Sequence, residues 1–291
     1  MRDESLRASA TPSLIPRSSS LMPHTFALMP HSSLKAIAFD LWETLITDTP
    51  ELSKQQERLR LTRMEELLTA HGFGELADRI ETAYRALWHR CHDLYWSTDV
   101  DIPCRRQIEH FLEELQLDPK SFDETLLAAL EDAYAGAALE ILPALVDGAD
   151  ELLAQLKARG FRIGLISNTG RTPGSVLRGI LEALGLAPSI DVMLFSNEHG
   201  QCKPQPSIFE ALRRGLGVEY GELLFVGDNL YVDVHGAQRC GMRAIHFDPP
   251  VRGTAVAPPV EHGLAIVPDA RVTSLRELPA ALDRLNGARL S

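Results

Sequence analysis

LKAIAFDLWETLI, at residues 34–46, begins as an apolar run that ends abruptly at the carboxylate of Asp40. A short continuous apolar run is typical of a strand that is buried in a parallel sheet. In an open α/β sheet, ligands bind beyond the carboxyl ends of the strands. Asp40 is therefore a candidate for chemistry, although a single Asp at a strand end more often caps the following turn.

Three later segments have the same form, since each is a short apolar run that ends at polar residues. The polar residues are, in order, Ser167 with Asn168, Lys203, and Asp228 with Asp233. An Asp, a Ser, a Lys and a Gly-Asp pair with a trailing Asp resemble, in that order, the four-motif signature of the haloacid dehalogenase (HAD) superfamily of hydrolases. The resemblance covers residues 34–248, and its strength comes from the order of the motifs rather than from any one of them.

From residue 139 onward, strand-like apolar segments alternate with amphipathic helical patterns. Such alternation predicts a doubly wound parallel sheet with helices on its faces. The fold class that we expect is therefore α/β, with the Rossmann-like core that the HAD resemblance implies.

Residues 50–138 have a different pattern, with apolar residues at helical spacings of three and four. HAD relatives carry a cap domain at this point, so the resemblance implies an all-helical cap that closes over the active site. Residues 1–33 are rich in Ser, Pro and Met without apolar periodicity, which is typical of a disordered tail. The expected organisation is a tail at 1–33, core at 34–49, cap at 50–138 and core again at 139–291.

The composition is typical of a globular protein and argues against nucleic-acid-binding and membrane-spanning proteins. The 291 residues are 45% hydrophobic and 24% charged, as in an ordinary globular protein. A net charge of −11 argues against a nucleic-acid-binding surface, and no apolar run reaches the ~18 residues of a membrane-spanning helix. The four scattered cysteines include no CxxC pair, so we expect reduced thiols in a cytoplasmic protein without zinc. The composition leaves open whether the protein is a monomer or a homodimer.

The resemblance implies a catalytic role for three residues. Asp40 is the expected nucleophile, because a carboxylate that attacks phosphorus forms an aspartyl-phosphate and divides one displacement into two easier ones. Ser167 and Lys203 are expected to hold the transferring group through a hydrogen bond and a positive charge. Taken alone, Ser167 would more often be a helix cap and Lys203 a solvated surface residue.

The same motifs imply a magnesium site. Mg²⁺ prefers a few carboxylates together with water and phosphate oxygens. In HAD relatives its protein ligands correspond to Asp40, the backbone carbonyl of Trp42, and Asp228. Asp233 is either a further ligand or a support behind the ligands. The cation would let an anionic nucleophile approach an anionic phosphate.

Four residues are candidates for contact with the substrate. Asn168 either orients the substrate or shapes its own turn. Trp88 and His92, in the region expected to form the cap, are spaced to lie on one helical face, where they select the substrate or simply pack the cap. The fourth candidate is Trp42. HAD phosphatases usually carry Asp at this position as a general acid and base, whereas 2-haloacid dehalogenases carry an aromatic residue.

Trp42 and the metal motif therefore indicate different chemistries. The dehalogenases do not use Mg²⁺ and lack the Gly-Asp-x-x-x-x-Asp pattern at residues 227–233, so we give the metal motif more weight. The expected function is a Mg²⁺-dependent phosphatase acting on a small phosphorylated metabolite. One alternative is a metal-independent hydrolase similar to the 2-haloacid dehalogenases. The other is a non-catalytic HAD-fold binding protein in which Trp42 marks lost chemistry.

Overall fold

The structure, a computed structural model, describes residues 33–254 and 265–287 of the chain. The tail predicted at residues 1–33 lies outside the described residues, apart from Ser33. In chain order the strands are β1 (Ala36–Phe39), β2 (Ile46–Thr47), β3 (Ala144–Leu145), β4 (Arg162–Ser167), β5 (Val192–Phe195), β6 (Leu223–Gly227), β7 (Arg243–Phe247) and β8 (Ala270–Val272). The helices are α1 (Pro50–Ala70), α2 (Ala77–Leu94), α3 (Cys104–Glu114), α4 (Glu124–Ala135), α5 (Ala137–Glu140), α6 (Ala149–Ala158), α7 (Gly174–Ala183), α8 (Ser196–His199), α9 (Pro206–Leu216), α10 (Gly236–Arg239) and α11 (Leu278–Gly287).

Six of the strands form one parallel sheet in the order β5-β4-β1-β6-β7-β8. β1 lies between β4 and β6, with Ala38 opposite Gly164 on one side and Phe225 on the other. Because the strands are parallel, the residues that follow β1, β4 and β6 meet at one edge of the sheet. This strand order is that of a doubly wound sheet, so the predicted fold class is confirmed.

Two apolar clusters cover the two faces of the sheet, because alternate residues of a strand point to opposite faces. In β1, Ile37 and Phe39 belong to the cluster that includes α6, α7 and α11. Ala36 and Ala38 belong to the cluster that includes α9 and α10. The sheet is therefore buried on both faces, as parallel sheets generally are.

Helices α1 to α4 pack around a third apolar cluster, which is separate from the two clusters on the sheet. Tyr134 and Phe111 are among its largest fully buried side chains. The chain enters this region after β2 and returns through β3, and these two short strands pair antiparallel with each other. The region predicted to be helical is thus helical, and its division from the core as a separate domain stays a prediction.

Helix α1 has 21 residues and carries charged side chains along its length. It begins at Pro50, directly after Thr49, whose hydroxyl accepts a hydrogen bond from the N–H of Leu52 at 3.2 Å. Buried Arg60 donates from Nε to the carbonyl of Tyr134 in α4 at 2.8 Å. Among the helices in the described ranges, neither α1 nor any other is long and apolar enough to cross a membrane.

Candidate active site

Three carboxylates meet at the carboxyl edge of the sheet. Asp40 directly follows β1, Asp228 directly follows β6, and Asp233 lies in the π-helical turn Leu230–His235. Each offers an oxygen within 4.8 Å of those of the other two. A Cβ at Gly227 would lie only 2.4 Å from Cγ of Asp233, so the close approach requires glycine at this strand end. The structure thus brings together the acidic residues that the sequence singled out.

Lys203 joins two of these carboxylates. Its side chain is 1% exposed, and Nζ lies 2.6 Å from Oδ1 of Asp40 and 2.7 Å from Oδ1 of Asp233. Burial alone would lower the pKa of this ammonium, but the charges of Asp233 and Asp40 outweigh burial and raise the pKa above its usual range. Lys203 is therefore positively charged at neutral pH, in direct contact with the expected nucleophile.

Asn168 braces the loop that carries Lys203. Its Nδ2 donates to the carbonyl of Lys203 at 3.0 Å, and its Oδ1 accepts from the N–H of Lys203 at 2.8 Å. The next peptide bond, Lys203–Pro204, is cis. Both polar atoms of the Asn168 amide are hydrogen-bonded to Lys203, which favours a role in shaping the loop over a role in orienting the substrate.

Two buried hydroxyls lie beside this network. Thr44 donates from Oγ1 to Oδ2 of Asp40 at 3.1 Å, so each oxygen of Asp40 accepts a hydrogen bond from a side chain. Ser167 is fully buried at the end of β4, and its hydroxyl lies 3.5 Å from the carbonyl of Asn168. That distance is long for a hydroxyl hydrogen bond. The Ser167 hydroxyl therefore has a proton available for a ligand, whereas the Thr44 hydroxyl is used to hold Asp40.

Asp228 has a cationic partner that the sequence analysis did not identify. Nη1 of Arg252 lies 2.8 Å from Oδ2 of Asp228, and Nη2 lies 2.9 Å from Oδ1 of Asp248. His246 also contacts Asp228, through Nε2, which lies 2.9 Å from the Asp228 carbonyl. Arg252 belongs to a Pro-rich and Gly-rich loop that folds back onto the sheet edge. No local sequence pattern marks it, because the contact depends on the path of that loop.

The carboxylates of this cluster carry more charge than the two cations offset. Burial raises the pKa of Asp228 to about 8, with further contributions from the negative charges of Asp40 and Asp233. Burial likewise raises the pKa of Asp40 to about 6, although the charge of Lys203 partly opposes this rise. Buried carboxylates whose pKa values rise in this way would gain from additional positive charge.

The donor set fits a divalent cation. The three carboxylates each offer an oxygen within 4.8 Å of the others, and carboxylates are the ligands that Mg²⁺ prefers. The carbonyl of Trp42 accepts no hydrogen bond from a backbone N–H in the described ranges, so this oxygen is open to a ligand. Asp233 differs, because Oδ1 contacts Lys203 and Oδ2 accepts from the N–H of Asn229 at 3.0 Å. These contacts favour a role for Asp233 in positioning the metal ligands over a role in binding the metal itself.

The side chain of Trp42 stands where HAD phosphatases usually carry a general acid. It is half-buried and packs against the apolar cluster that covers one face of the sheet. The indole N–H has no useful acidity, so this side chain cannot protonate a leaving group. Trp42 therefore contributes packing through its indole, and its backbone contributes a carbonyl that accepts from no backbone N–H among the described residues.

Glu43 follows Trp42 and is also buried, at 3% exposure. Its φ of 59° lies in the left-handed region, which turns the chain sharply after the strand. The carboxylate accepts from the hydroxyl of Thr47 at 3.0 Å and from the N–H of Gly253 at 2.6 Å. Glu43 thus ties the turn after β1 to the loop that carries Arg252.

The two candidates from the helical region lie in different surroundings. The ring of Trp88 reaches the loop that follows β4, where a Cβ on Gly170 would lie 3.6 Å from it. The Nδ1 of His92 lies 3.1 Å from Oδ1 of Asp93, and its side chain is 58% exposed. The structure therefore brings Trp88 beside the Ser167 loop, and it shows no contact between His92 and the described residues of the carboxylate cluster.

A buried carboxylate, Asp101, attaches the helical region to the core. It accepts hydrogen bonds from the hydroxyls of Thr169, at 2.9 Å, and Ser196. Beside it, backbone hydrogen bonds of 2.8 and 3.2 Å join residues 99–101 to residues 200–202, directly before Lys203. Sequence reasoning missed Asp101, because a lone Asp between two helices forms no pattern.

Comparison with known proteins agrees with this geometry. The chain is 30% identical over 216 residues to a glyceraldehyde 3-phosphate phosphatase from Pyrococcus abyssi, covering 74% of this chain and 81% of that protein. It is 30% identical over 220 residues to a phosphoglycolate phosphatase from Rhodospirillum rubrum, covering 72% and 78%. The crystal structure of a 2-haloacid dehalogenase from Pseudomonas syringae is similar with a TM-score of 0.60 and 26% identity, covering 87% of this chain and 99% of that one.

A family model settles the assignment that the ordered motifs suggested. The model, described as haloacid dehalogenase-like hydrolase, matches residues 34–241. That range runs from the start of the first core segment past Asp233 and includes every motif at the sheet edge. The chain therefore belongs to the haloacid dehalogenase-like hydrolases.

Proposed function

We propose that this hydrolase is a Mg²⁺-dependent phosphatase that acts on a small phosphorylated metabolite. The observation that carries the proposal is the cluster of Asp40, Asp228 and Asp233, in which burial raises the pKa of two members. Displacement of a halide by a carboxylate has no need of such a cluster. The similarity to two proteins named as phosphatases, each over more than 70% of the chain, supports the same conclusion.

In the proposed mechanism, an oxygen of Asp40 attacks the phosphorus of the substrate. The bond between phosphorus and the leaving oxygen breaks as the bond to Asp40 forms, which gives an aspartyl-phosphate. Water then attacks this intermediate, releases inorganic phosphate and restores the carboxylate. Thr44 and Lys203 hold the two oxygens of Asp40, so the carboxylate is oriented before the substrate arrives.

The remaining residues of the site balance charge. Asp40, Asp228 and the carbonyl of Trp42 would hold Mg²⁺, which when bound would neutralise charge on the nucleophile and the phosphate. Ser167 and Lys203 would donate hydrogen bonds to the non-bridging phosphate oxygens. Asp233 keeps Lys203 in place, and Arg252 orients Asp228 through its second oxygen.

A second candidate function is metal-independent dehalogenation of a 2-haloacid. Two observations favour it, namely the aromatic side chain at Trp42 and the similarity to a solved 2-haloacid dehalogenase. In that reaction Asp40 would attack carbon, halide would leave, and water would hydrolyse the resulting ester. The acidic cluster argues against it, since three carboxylates, two of them buried, would then surround a reaction that uses no cation.

Steady-state assays separate the two functions. Purified protein is incubated with p-nitrophenyl phosphate or with 2-chloropropionate, each in Mg²⁺ and in excess chelator. We expect phosphate release in Mg²⁺ that stops in chelator, and no chloride release in either condition. Chloride release that persists in chelator would replace the phosphatase by the dehalogenase. Asp40→Asn is the control that ties either activity to this site rather than to a contaminant.

Two further expectations stay predictions of the proposed function. A phosphatase of small metabolites needs no partner beyond its substrate, so we expect a monomer or a homodimer. We also expect a cytoplasmic location. Light scattering on the purified protein measures the first, and cell fractionation measures the second.

A further inference from the structure

The loop that follows Ser167 carries an arginine at the boundary between the core and the helical region. Arg171 is four residues beyond Ser167, so the two Cα atoms are at most ~14 Å apart. The loop turns at Gly170, which has a φ of 57°, and the N–H of Thr172 donates back to the carbonyl of Thr169 at 3.3 Å. Arg171 therefore lies on the same short loop as Ser167, one of the residues expected to hold the phosphate.

Two aromatic rings of α2 hold the guanidinium of Arg171. Its Cζ lies 4.4 Å from the ring centroid of Trp88 and 4.7 Å from that of Tyr84. Gln107 fixes the same loop, because its Nε2 donates to the carbonyl of Gly170 at 2.8 Å. Stacking on aromatic faces orients a guanidinium but leaves its N–H groups, which lie in the plane of the group, free to donate.

Arg171 differs from the other cations near the site. Lys203 and Arg252 each contact carboxylates, and in the helical region Arg90 does so through Glu113 and Glu114. For Arg171, the described ranges contain no ion pair and no hydrogen bond. Within the part of the chain that the structure describes, no acceptor uses the N–H donors of this half-buried guanidinium, so in a chain with a net charge of −11 they are available to an anion.

We propose that Arg171 binds a second anionic group on the substrate, remote from the phosphate that reacts. The inference rests on the proposed function and narrows its substrate class to phosphate monoesters that also carry a carboxylate or a second phosphate. The reacting phosphate lies at Ser167 and Lys203, and the remote anion lies at Arg171 against the ring of Trp88. Arg171 is a specificity-determining residue in this account, because it contacts the part of the substrate that does not react.

Matched substrates test the inference. 2-Phosphoglycolate and 2-hydroxyethyl phosphate have the same length and differ in the remote group, a carboxylate or a hydroxyl. 1,3-Propanediol bisphosphate replaces the carboxylate by a second phosphate, and p-nitrophenyl phosphate carries no remote anion. We expect wild-type kcat/KM to be about 10- to 100-fold higher for the substrates with a remote anionic group than for 2-hydroxyethyl phosphate. That factor is what one charge-assisted hydrogen bond typically contributes.

Variants then assign the preference to one residue. Arg171→Met keeps an unbranched side chain without charge and should remove the preference, with kcat/KM for the neutral ester and p-nitrophenyl phosphate changed by less than about twofold. Arg171→Lys keeps the charge but not the planar fork and should retain part of the preference. Arg85→Met, on the exposed face of α2, is the matched control and should behave as wild type. An equal loss on all substrates, or no wild-type preference for either anion, would overturn the inference.

A binding measurement keeps this inference separate from the proposed function. In the Asp40→Asn background, calorimetry compares 2-phosphoglycolate with 2-hydroxyethyl phosphate, with and without Arg171→Met. A preference for the anionic ligand that disappears in the double variant supports the role of Arg171 even if the wild type releases no phosphate. The absence of phosphate release would then remove only the phosphatase proposal. Equal affinities in both backgrounds overturn the role of Arg171 even if phosphate release is observed.

Discussion

The sheet edge and the helical region use charge in opposite ways. At the edge, Lys203 is 1% exposed and is shared by two buried carboxylates. In the helical region, Arg85 and Glu81 form an ion pair whose side chains are 65% and 60% exposed. Exposed pairs contribute little to stability, whereas removing one partner of a buried pair leaves a charge without compensation. A substitution among the buried charges at the edge should therefore have a large effect, and one among the exposed charges of α2 a small effect.

The sharpest test of this comparison is Asp40→Asn. The substitution is nearly isosteric and leaves Lys203 paired with Asp233, so we expect the protein to remain folded. Turnover should fall at least about 1,000-fold, because an amide is not a nucleophile here. Circular dichroism and steady-state kinetics measure the two effects. Activity near the wild-type level would remove Asp40 from the mechanism.

Trp42 gives the next largest expected effect. General acid catalysis typically contributes ~100- to 10,000-fold, and the indole cannot supply it. Alkyl phosphates should therefore form the aspartyl-phosphate at least about 100-fold more slowly than aryl phosphates, whose leaving groups need no proton. Single-turnover phosphorylation across a leaving-group series measures this dependence without interference from product release.

A Trp42→Asp variant is the control for that series. Trp42→Asp should speed alkyl substrates selectively, although the loss of packing will lower stability. A flat series in the wild type would mean that an acid exists. Glu43 would then be a poor candidate, since its carboxylate is bound to Thr47 and Gly253.

Asp228 and Asp233 should separate metal binding from stability. Asp228→Asn removes an expected ligand and should weaken Mg²⁺ binding. Asp233→Asn should weaken Mg²⁺ binding less, by about 10- to 100-fold at most, as is typical of residues that position the metal ligands. Asp233→Asn should instead lower the free energy of unfolding, by less than the about 3–5 kcal/mol that an unpaired buried charge costs, because Lys203 loses one buried partner but keeps Asp40. Calorimetric Mg²⁺ titration and urea unfolding measure both variants. Similar, mild effects of the two would mean that the acidic cluster is structural.

Substitution of Asp101 should have the smallest of these effects on kcat. Asp101→Ala removes the acceptor for four donors, namely the hydroxyls of Thr169 and Ser196, the indole N–H of Trp96 and the N–H of Ile102. The loss should cost at least about 1–3 kcal/mol. We expect KM to rise more than kcat falls, because the residue lies outside the carboxylate cluster. Glu81→Ala, on the exposed face of α2, is the control and should change neither quantity. A loss of kcat as large as that of Asp228→Asn would erase the distinction between the two regions.

The fold and the motif residues were predictable because local patterns determine them. An apolar run that ends at Asp40, Ser167 or Asp228 marks a buried parallel strand, and parallel strands place their carboxyl ends together. The remaining contacts depend on tertiary packing. Arg252 reaches Asp228 from a loop 24 residues away, and Asp101 reaches Ser196 across 95 residues. Nothing within a few residues of either position indicates its partner.

Covalent trapping of the enzyme during turnover identifies the nucleophile. Wild-type protein is mixed with an aryl phosphate in Mg²⁺, quenched during the first turnover and analysed by peptide mass spectrometry. We expect one added phosphoryl group on the peptide that contains Asp40, absent in chelator and absent in Asp40→Asn. Phosphate release without any adduct at Asp40, or an Asp40 ester formed from 2-chloropropionate in chelator, would contradict this expectation.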